Sequence, residues 1–378
     1  MQTHQSWIWE QADWPHFRWD AAALGAALAR ARLAQGKVLG AARLLDASLT
    51  LEAVSAILVE DGITTSAIEA ERLDLDAVRS SVARHLGLPA AGLPVPPRAV
   101  DGLIEALLDA TRNFETPLTI ERLCGWQAAL FPTGYSGLFV VRTGALRGSA
   151  PMQVVSGHVG HEHVHFAAPP RQRLDLEMER FLAWFNAAPD DLDGLIRAGL
   201  AHLWFVTLHP FEDGNGRLAR AITDMALSQD ERQPMRFFSL SAQILRERKR
   251  YYEMLERTQR GGMDVTGWLE WFLAQVEAAA RAAETTVAVT LAKARFWLRH
   301  QATPLNARQR KAINRLLDAG PGGFEGGINT RKYVSLNKTS RATAYRELAD
   351  LVEKGCLTPT AGAGRSSGYE IAWETPAR

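Results

Sequence analysis

Residues 209–220, with the sequence HPFEDGNGRLAR, decide the fold of the central part of the chain. A mostly apolar run at helical spacing precedes them and predicts a buried amphipathic helix: Leu200, Leu203, Trp204, Thr207 and Leu208. The glycines of Asp213-Gly-Asn-Gly216 interrupt that helix, because glycine favours open or left-handed backbone conformations. From Arg217 onward apolar residues again recur at helical spacing. The stretch therefore predicts a helix, a Gly-rich turn and a second helix.

The side chains of this stretch suit phosphate chemistry. A helix N-terminus after a Gly-rich turn attracts anions, because its free N–H groups and the helix dipole favour negative charge. Arg217 and Arg220 share a helix face and can hold successive phosphates, and Asp213 offers a hard oxygen ligand to Mg²⁺. His209 can act as a general base near neutral pH, with Phe211 anchoring the loop in the core. Together these residues predict phosphoryl or nucleotidyl transfer.

HPFEDGNGRLAR resembles the signature of the Fic family, His-x-Phe-x-Asp/Glu-Gly-Asn-Gly-Arg-x-x-Arg, at every fixed position. Most members of that family transfer AMP from ATP to a Ser, Thr or Tyr hydroxyl of a target protein. The resemblance implies a mainly α fold with a β-hairpin flap and the activity of a protein adenylyltransferase (AMPylator). It also implies that His209 deprotonates the acceptor hydroxyl and that Asp213 holds Mg²⁺.

The same resemblance implies the nucleotide-binding residues. Asn215 and the backbone amides of Gly214 and Gly216 would cradle the phosphates of ATP. Arg217 and Arg220 would bind the β- and γ-phosphates. ATP as substrate and Mg²⁺ as cofactor therefore follow from the resemblance.

Residues 138–168 interrupt the helical pattern with short β-like runs around two glycines, which predicts a hairpin. Residues 144–147 and 154–170 resemble the flap of the Fic family, which docks the target protein by strand addition. Four histidines lie in this region: His158, His161, His163 and His165. Because no carboxylate or cysteine set completes a metal site there, we favour a solvated or substrate-facing flap over metal binding.

Residues 64–73 allow two interpretations. The first is structural: Ser66 and Glu69 have the spacing of a capping box that opens a helix, with Ile68 buried. The second is regulatory and comes from a further resemblance to the Fic family.

The segment resembles the Fic inhibitory helix, Ser/Thr-x-x-x-Glu-Gly/Asn, with Thr65 and Glu69 at the fixed positions. That resemblance implies that Glu69 pairs with Arg220 and blocks productive placement of the γ-phosphate. Ala70 departs from the usual Gly or Asn. Glu71 lies a little over half a helical turn from Glu69, so we expect it to face elsewhere.

Residues 306–378 predict a winged helix-turn-helix domain, with Ser340 as the N-cap of the recognition helix. Its wing strands would be residues 356–360 and 369–373, with Arg365 at the tip of the wing. Four residues near the start of the recognition helix suit phosphates or base edges: Arg341, Thr343, Tyr345 and Arg346. DNA binding remains one alternative, and a protein-interaction or dimer module, including a homodimer, remains the other.

Composition limits the class of protein. The 378 residues include 43 Lys+Arg and 42 Asp+Glu, giving a net charge of +1, so the chain is not basic throughout. Residues 306–378, however, hold 12 basic and 7 acidic side chains, so the rest is slightly acidic. Two cysteines exclude a disulfide framework and a cysteine zinc site. No secretory signal or membrane span is evident, so we expect a soluble, cytoplasmic protein with no membrane partner.

We therefore predict an N-terminal helical region at 1–97 with an inhibitory helix at about 64–73, a Fic catalytic core at 98–300, and a winged-helix domain at 306–378. The leading hypothesis is an autoinhibited protein adenylyltransferase, with removal of AMP from the target as a further activity of the same site. The alternative is a DNA-binding regulator whose Fic core senses nucleotide.

Overall fold

The structure is a computed structural model that describes residues 6–90, 92–156, 163–187, 191–320, 324, 326–360 and 368–373. These residues are mostly helical, so the predicted fold class, mainly α with a β-hairpin flap, is confirmed. The chain divides into two compact units. The first comprises Met1–Leu39 and Val54–Ala283, and the second comprises Gly40–Ala53 and Glu284–Arg378.

A 3-10 helix at Ile8–Glu10 precedes the first eleven α-helices. In chain order they are α1 (Ala21–Ala42), α2 (Ala47–Ile68), α3 (Leu75–Leu86), α4 (Arg98–Arg112), α5 (Ile120–Leu130), α6 (Arg171–Ala187), α7 (Gly194–Leu208), α8 (Asn215–Glu231), α9 (Leu240–Arg246), α10 (Arg248–Gln259) and α11 (Thr266–Arg299). No helix in the described part of the chain is long and apolar enough to cross a membrane.

Helices α7 and α8 form the centre of the first unit. Asp193 caps α7, because its carboxylate accepts hydrogen bonds from the amides of Leu195 and Ile196. Every residue of α7 from Leu195 to Leu208 is buried, so the predicted buried helix is covered on all sides rather than along one stripe. Gly199 permits this packing, since a Cβ there would lie 2.9 Å from the Phe272 ring.

Two antiparallel hairpins lie between α5 and α6. The first pairs β1 (Tyr135–Ser136) with β2 (Phe139–Val140). The second pairs β3 (Gln153–Ser156) with β4 (His163–Ala167), and we call it the flap. It confirms the hairpin predicted in this region, and residues 157–162, with His158 and His161, lie outside the described residues.

The second unit contains α12 (Ala307–Ala319), α13 (Thr330–Asn337), α14 (Arg341–Glu353) and the antiparallel strands β5 (Leu357–Pro359) and β6 (Tyr369–Ile371). The Ser340 hydroxyl accepts a hydrogen bond from the Thr343 amide, which confirms the predicted N-cap of α14. Arg341, Tyr345 and Arg346 are exposed on this helix. This element order agrees with a winged helix-turn-helix, which stays a prediction, and Arg365 lies outside the described residues.

Candidate functional site

The Gly-rich turn joins the two buried central helices, as predicted. Helix α7 ends at Leu208 and α8 begins at Asn215. Gly214 is the N-cap of α8 with a φ of 90°, a left-handed conformation that disfavours a side chain. A Cβ at Gly214 would also lie 3.1 Å from the ring of Phe131. The turn thus leaves the first amides of α8 without a side-chain cap, which is the geometry that binds an anion.

Phe211 and Asn215 fix the shape of the turn. The Phe211 ring is fully buried, as predicted. The Asn215 side chain accepts a hydrogen bond from the Phe211 amide at 2.9 Å and donates one to its carbonyl at 2.8 Å. The Asn215 side chain is therefore occupied in bracing the loop, and only its backbone amide remains for the phosphates.

His209 presents one ring nitrogen to the site. The residue ends α7 in a left-handed conformation with a φ of 48°. Its Nδ1 lies 3.2 Å from the carbonyl of Val206. A carbonyl oxygen only accepts hydrogen bonds, so Nδ1 carries the proton and Nε2 keeps its lone pair. Burial lowers the pKa of His209, and the nearby Arg147 guanidinium lowers it further, so the imidazole stays neutral at pH 7.

Arg147 is a residue of this site that the sequence argument placed only in the flap motif. Its buried guanidinium donates to the carbonyl of His209 at 2.8 Å and to the carbonyl of Pro169 at 2.5 Å. Its backbone amide donates to the carbonyl of Pro210. Arg147 therefore holds the backbone of the turn at His209–Pro210 against the segment that leads from the flap to α6.

Asp213 has surroundings that suit a hard cation. The Ser136 hydroxyl of β1 donates to its carboxylate at 2.5 Å, and the Gly214 amide donates to the other oxygen. The side chain is 40% exposed, which leaves room for water and phosphate oxygens. A single carboxylate beside oxygen donors fits Mg²⁺, which usually keeps several waters and takes its other ligands from substrate phosphates.

Arg217 and Arg220 lie on the first turns of α8 and are both buried. The Arg217 guanidinium stacks 4.9 Å from the Phe131 ring centroid, and its Nε has no hydrogen-bond partner among the described residues. The Arg220 guanidinium donates to the hydroxyl of Thr65 at 2.6 Å and to its carbonyl at 2.9 Å. A buried cation needs an anionic partner, and the segment at 65–71 supplies one to each arginine.

Glu69 lies at the N-terminus of α8. Its Oε1 accepts a hydrogen bond from Arg220 Nη2 at 2.8 Å. A Cβ added to Gly216 would lie only 2.1 Å from the same oxygen, so the carboxylate occupies the space that this glycine leaves open. The carboxylate lies over a helix N-terminus and against an arginine. The same position would stabilise an anionic phosphate group.

The segment that carries Glu69 is the end of a helix, not the start of one. Helix α2 ends at Ile68, so both the capping-box interpretation and a helix at 64–73 are wrong, although Ile68 is buried as expected. The Glu71 amide donates to the Ser66 carbonyl and the Ala70 amide to the Ala67 carbonyl. Ala70 has a φ of 63°. These features form a Schellman C-cap, which turns the chain out of the helix.

Glu71 contacts the other arginine. Its Oε2 accepts a hydrogen bond from Arg217 Nη1 at 2.9 Å. The expectation that Glu71 faces elsewhere is therefore wrong, because it assumed helical periodicity beyond residue 68, where the helix has ended. Each arginine of α8 pairs with one carboxylate of the same short segment.

Helix α10 holds this segment from another side. Arg248 Nε donates to the carbonyl of Ile68 at 2.6 Å. The Tyr252 hydroxyl lies 3.2 Å from the same carbonyl and 3.4 Å from Glu69 Oε2. These contacts fix the last turn of α2 against the site, although the Glu69 side chain remains 31% exposed.

A neutral histidine, a carboxylate and two buried arginines at a helix N-terminus form a site whose geometry and charge suit phosphate groups. Residues 117–227 match the Fic/DOC family, so the chain carries a Fic/DOC family domain and the resemblance seen in the sequence is confirmed. Residues 7–88, which include Thr65 and Glu69, match a domain of unknown function, DUF4172.

Proteins of known name or structure that are similar to this chain are also Fic proteins. Over 91 residues the chain is 33% identical to Protein adenylyltransferase Fic of Culex quinquefasciatus, covering 23% of this chain and 17% of that protein. A Fic family protein from Desulfovibrio desulfuricans G20 has a similar fold, with a TM-score of 0.52, 19% identity, and coverage of 91% of this chain and 95% of that one. A Fic domain containing signaling protein from Bacteroides thetaiotaomicron VPI-5482 has a TM-score of 0.53 and 16% identity, covering 69% of this chain and 96% of that one.

Proposed function

We propose that this chain is a protein adenylyltransferase that moves AMP from ATP to a hydroxyl of a target protein. The observation that carries the proposal is the neutral His209, whose free Nε2 lies beside the anion site of α8. The hydroxyl oxygen of the target attacks the α-phosphorus, the bond from that phosphorus to the bridging β-oxygen breaks, and pyrophosphate leaves. His209 Nε2 takes the hydroxyl proton.

The other residues bind and orient ATP. The amides of Gly214, Asn215 and Gly216 would hold phosphate oxygens, and Arg217 and Arg220 would bind the β- and γ-phosphates. Asp213, oriented by the Ser136 hydroxyl, would hold Mg²⁺, which neutralises charge on the phosphates when it is bound. The target, a protein with a Ser, Thr or Tyr hydroxyl, would dock along the flap.

We propose that the same chain is autoinhibited by two carboxylates. Glu69 pairs with Arg220 and Glu71 pairs with Arg217, so both phosphate-binding arginines already have an anionic partner. A nucleotide phosphate must displace a carboxylate from each arginine before ATP takes its productive position. Glu69 is the stronger inhibitor of the two, since Arg220 is more deeply buried and the carboxylate of Glu69 also covers Gly216.

Labelling of a cell lysate with isotope-labelled ATP, followed by mass spectrometry, tests the transfer. We expect the Glu69→Gly variant to label target proteins, or itself, about ten- to a hundredfold more than the unchanged chain, because a charge-assisted hydrogen bond of about 1.5–3 kcal/mol no longer opposes the phosphate. The matched control is the double variant Glu69→Gly/His209→Ala. Intact, ATP-binding Glu69→Gly protein that labels nothing would contradict the proposal.

Removal of AMP from a modified target is a second candidate reaction, supported by the position of the Glu69 carboxylate at the phosphate site. There the carboxylate would position a water molecule for attack on the phosphorus. AMP release from a pre-modified target that Glu69→Gln abolishes would favour removal over transfer.

DNA binding through α14 is supported only by its exposed Arg341, Tyr345 and Arg346. Sequence-selective DNA retention that survives His209→Ala and fails in Arg341→Ala/Arg346→Ala would establish that role. Binding that is salt-sensitive but indifferent to sequence would not.

A further inference from the structure

Strand β4 of the flap brings two histidines together with a glutamate from another element. His163 and His165 are two residues apart on β4, and both rings face the same carboxylate. Glu256 reaches them from α10. His165 Nδ1 lies 2.6 Å from Glu256 Oε2, and His163 Nε2 lies 3.5 Å from Glu256 Oε1. The sequence argument against a metal here, that no carboxylate completes the set, is wrong, because Glu256 lies 91 residues from His165 in sequence.

We propose that His163, His165 and Glu256 bind a transition-metal ion such as Zn²⁺ and thereby link the flap to α10. One ligand atom from each residue lies within 4.8 Å of the others. In a tetrahedral zinc site with bonds of about 2.0–2.1 Å, ligand atoms lie about 3.4 Å apart. The 2.6 Å separation of His165 Nδ1 and Glu256 Oε2 would widen toward that value, with the metal replacing the proton that the two atoms share.

The nature of the ligands and their surroundings select the class of metal. Two imidazoles and one carboxylate suit zinc, copper or nickel, whereas Mg²⁺ and Ca²⁺ prefer oxygen ligands. The second ring nitrogen of His165 lies 2.6 Å from the Ser156 hydroxyl of β3, which would orient the ring as outer hydrogen bonds orient zinc-binding histidines. The His163 side chain is 62% exposed, so the fourth position faces water.

Arg260 is the group that opposes the metal. Its guanidinium lies 3.1 Å from Glu256 and donates to the carbonyl of Val164 at 2.5 Å. The contact with Val164 holds the arginine on the flap backbone, and the Glu256 oxygen that faces His165 remains available for the ion. Glu256 thus pairs with Arg260 through Oε1 and would bind the metal through Oε2.

The test is a titration of the metal-free full chain with ZnCl₂ in excess Mg²⁺, followed by isothermal calorimetry and by the visible absorption of Co²⁺ as a spectroscopic substitute. The excess Mg²⁺ competes with zinc for Asp213, the proposed magnesium ligand. We expect one ion per chain and a Co²⁺ spectrum typical of tetrahedral nitrogen and oxygen ligands. We also expect zinc to raise the thermal unfolding temperature, because the ion joins β4 to α10.

Variants identify the ligands. We expect His165→Ala and Glu256→Gln each to weaken zinc binding at least tenfold, while His16→Ala, which removes an exposed histidine elsewhere, leaves it unchanged. Glu256→Gln keeps a hydrogen-bond acceptor for His165, so a lost affinity there reports the charge rather than a damaged fold. The proposal is overturned if the unchanged chain binds no zinc, in which case the cluster only braces the flap by hydrogen bonds. It is equally overturned if these variants bind zinc as the unchanged chain does.

Discussion

The turn at 209–216 and the segment at 65–71, which we propose to be inhibitory, are held by different contacts. The turn is braced within itself by the pair of hydrogen bonds between Asn215 and Phe211, four residues apart, and from outside by Arg147. The segment is held to α8 by side chains 146 to 155 positions away, and its two carboxylates are 31% and 44% exposed. The turn is buried and rigid, whereas the two carboxylates are partly exposed and can leave the arginines while Thr65 and Ile68 stay buried.

The largest effect on labelling should come from a change in the turn at 209–216. In the Glu69→Gly background, we expect His209→Ala to reduce labelling by about a hundred- to ten-thousandfold, the range for loss of a general base. Radiometric or mass-spectrometric labelling rates measure the loss, and a thermal unfolding curve and ATP affinity close to those of Glu69→Gly serve as controls. Labelling that persists in the double variant would remove His209 from the role of base.

The second effect concerns the acid limb of the pH profile. Burial and the charge of Arg147 lower the pKa of His209 below the ordinary histidine value of about 6.5. The base therefore stays neutral, and the labelling rate stays high, as the pH falls below that value. As the pH falls through the lowered pKa, the imidazole takes up a proton and the rate declines. Labelling rates of the Glu69→Gly variant locate this limb. They should be measured from about two pH units below the ordinary histidine pKa to about one and a half units above it.

Arg147→Gln should move the same limb to higher pH, because the positive charge that opposes protonation of His209 is gone. The charge-retaining Arg147→Lys is the matched control and should leave the limb where it was, even if the weaker hold on the His209 carbonyl lowers the rate. Identical limbs in the two variants would show that the charge of Arg147 does not act on the base.

The comparison also explains what the sequence could predict. The turn was accessible because its residues lie within twelve positions, so spacing alone places the histidine, the carboxylate and the arginines together. Arg147 and Glu256 were missed, since their partners lie 62 and 91 positions away, and no periodicity reports such contacts. The end of α2 was missed because Ala70, a good helix former, occupies the left-handed position where a glycine would have marked the end.

A smaller effect separates the two carboxylates of the inhibitory segment. Glu71→Gln should raise basal labelling about two- to fivefold, because a half-exposed ion pair contributes only about 0.2–1 kcal/mol. Added to Glu69→Gly, the same change should have a smaller effect, because loss of the Glu69–Arg220 ion pair already weakens the hold of the segment on α8. Basal labelling that is unchanged by Glu71→Gln would limit the inhibition to Glu69.

The last prediction concerns the C-terminal end of α2. It compares an alanine-to-glycine change at two nearby positions, Ala70 and Ala67. Ala70 has a φ of 63°, which costs an L-residue about 1–2 kcal/mol and costs glycine little. Glycine loses about 0.5–1 kcal/mol more backbone entropy on ordering, which leaves a net gain of about 0.5–1 kcal/mol, so Ala70→Gly should stabilise the inhibitory segment and lower basal labelling about two- to fivefold. Ala67 lies inside α2, where glycine costs about 0.5–1 kcal/mol, so Ala67→Gly should raise basal labelling by a similar factor. Opposite signs at the two positions would assign the effect to backbone conformation, since both variants remove the same methyl group, whereas changes of equal sign would contradict a role for the C-cap in inhibition.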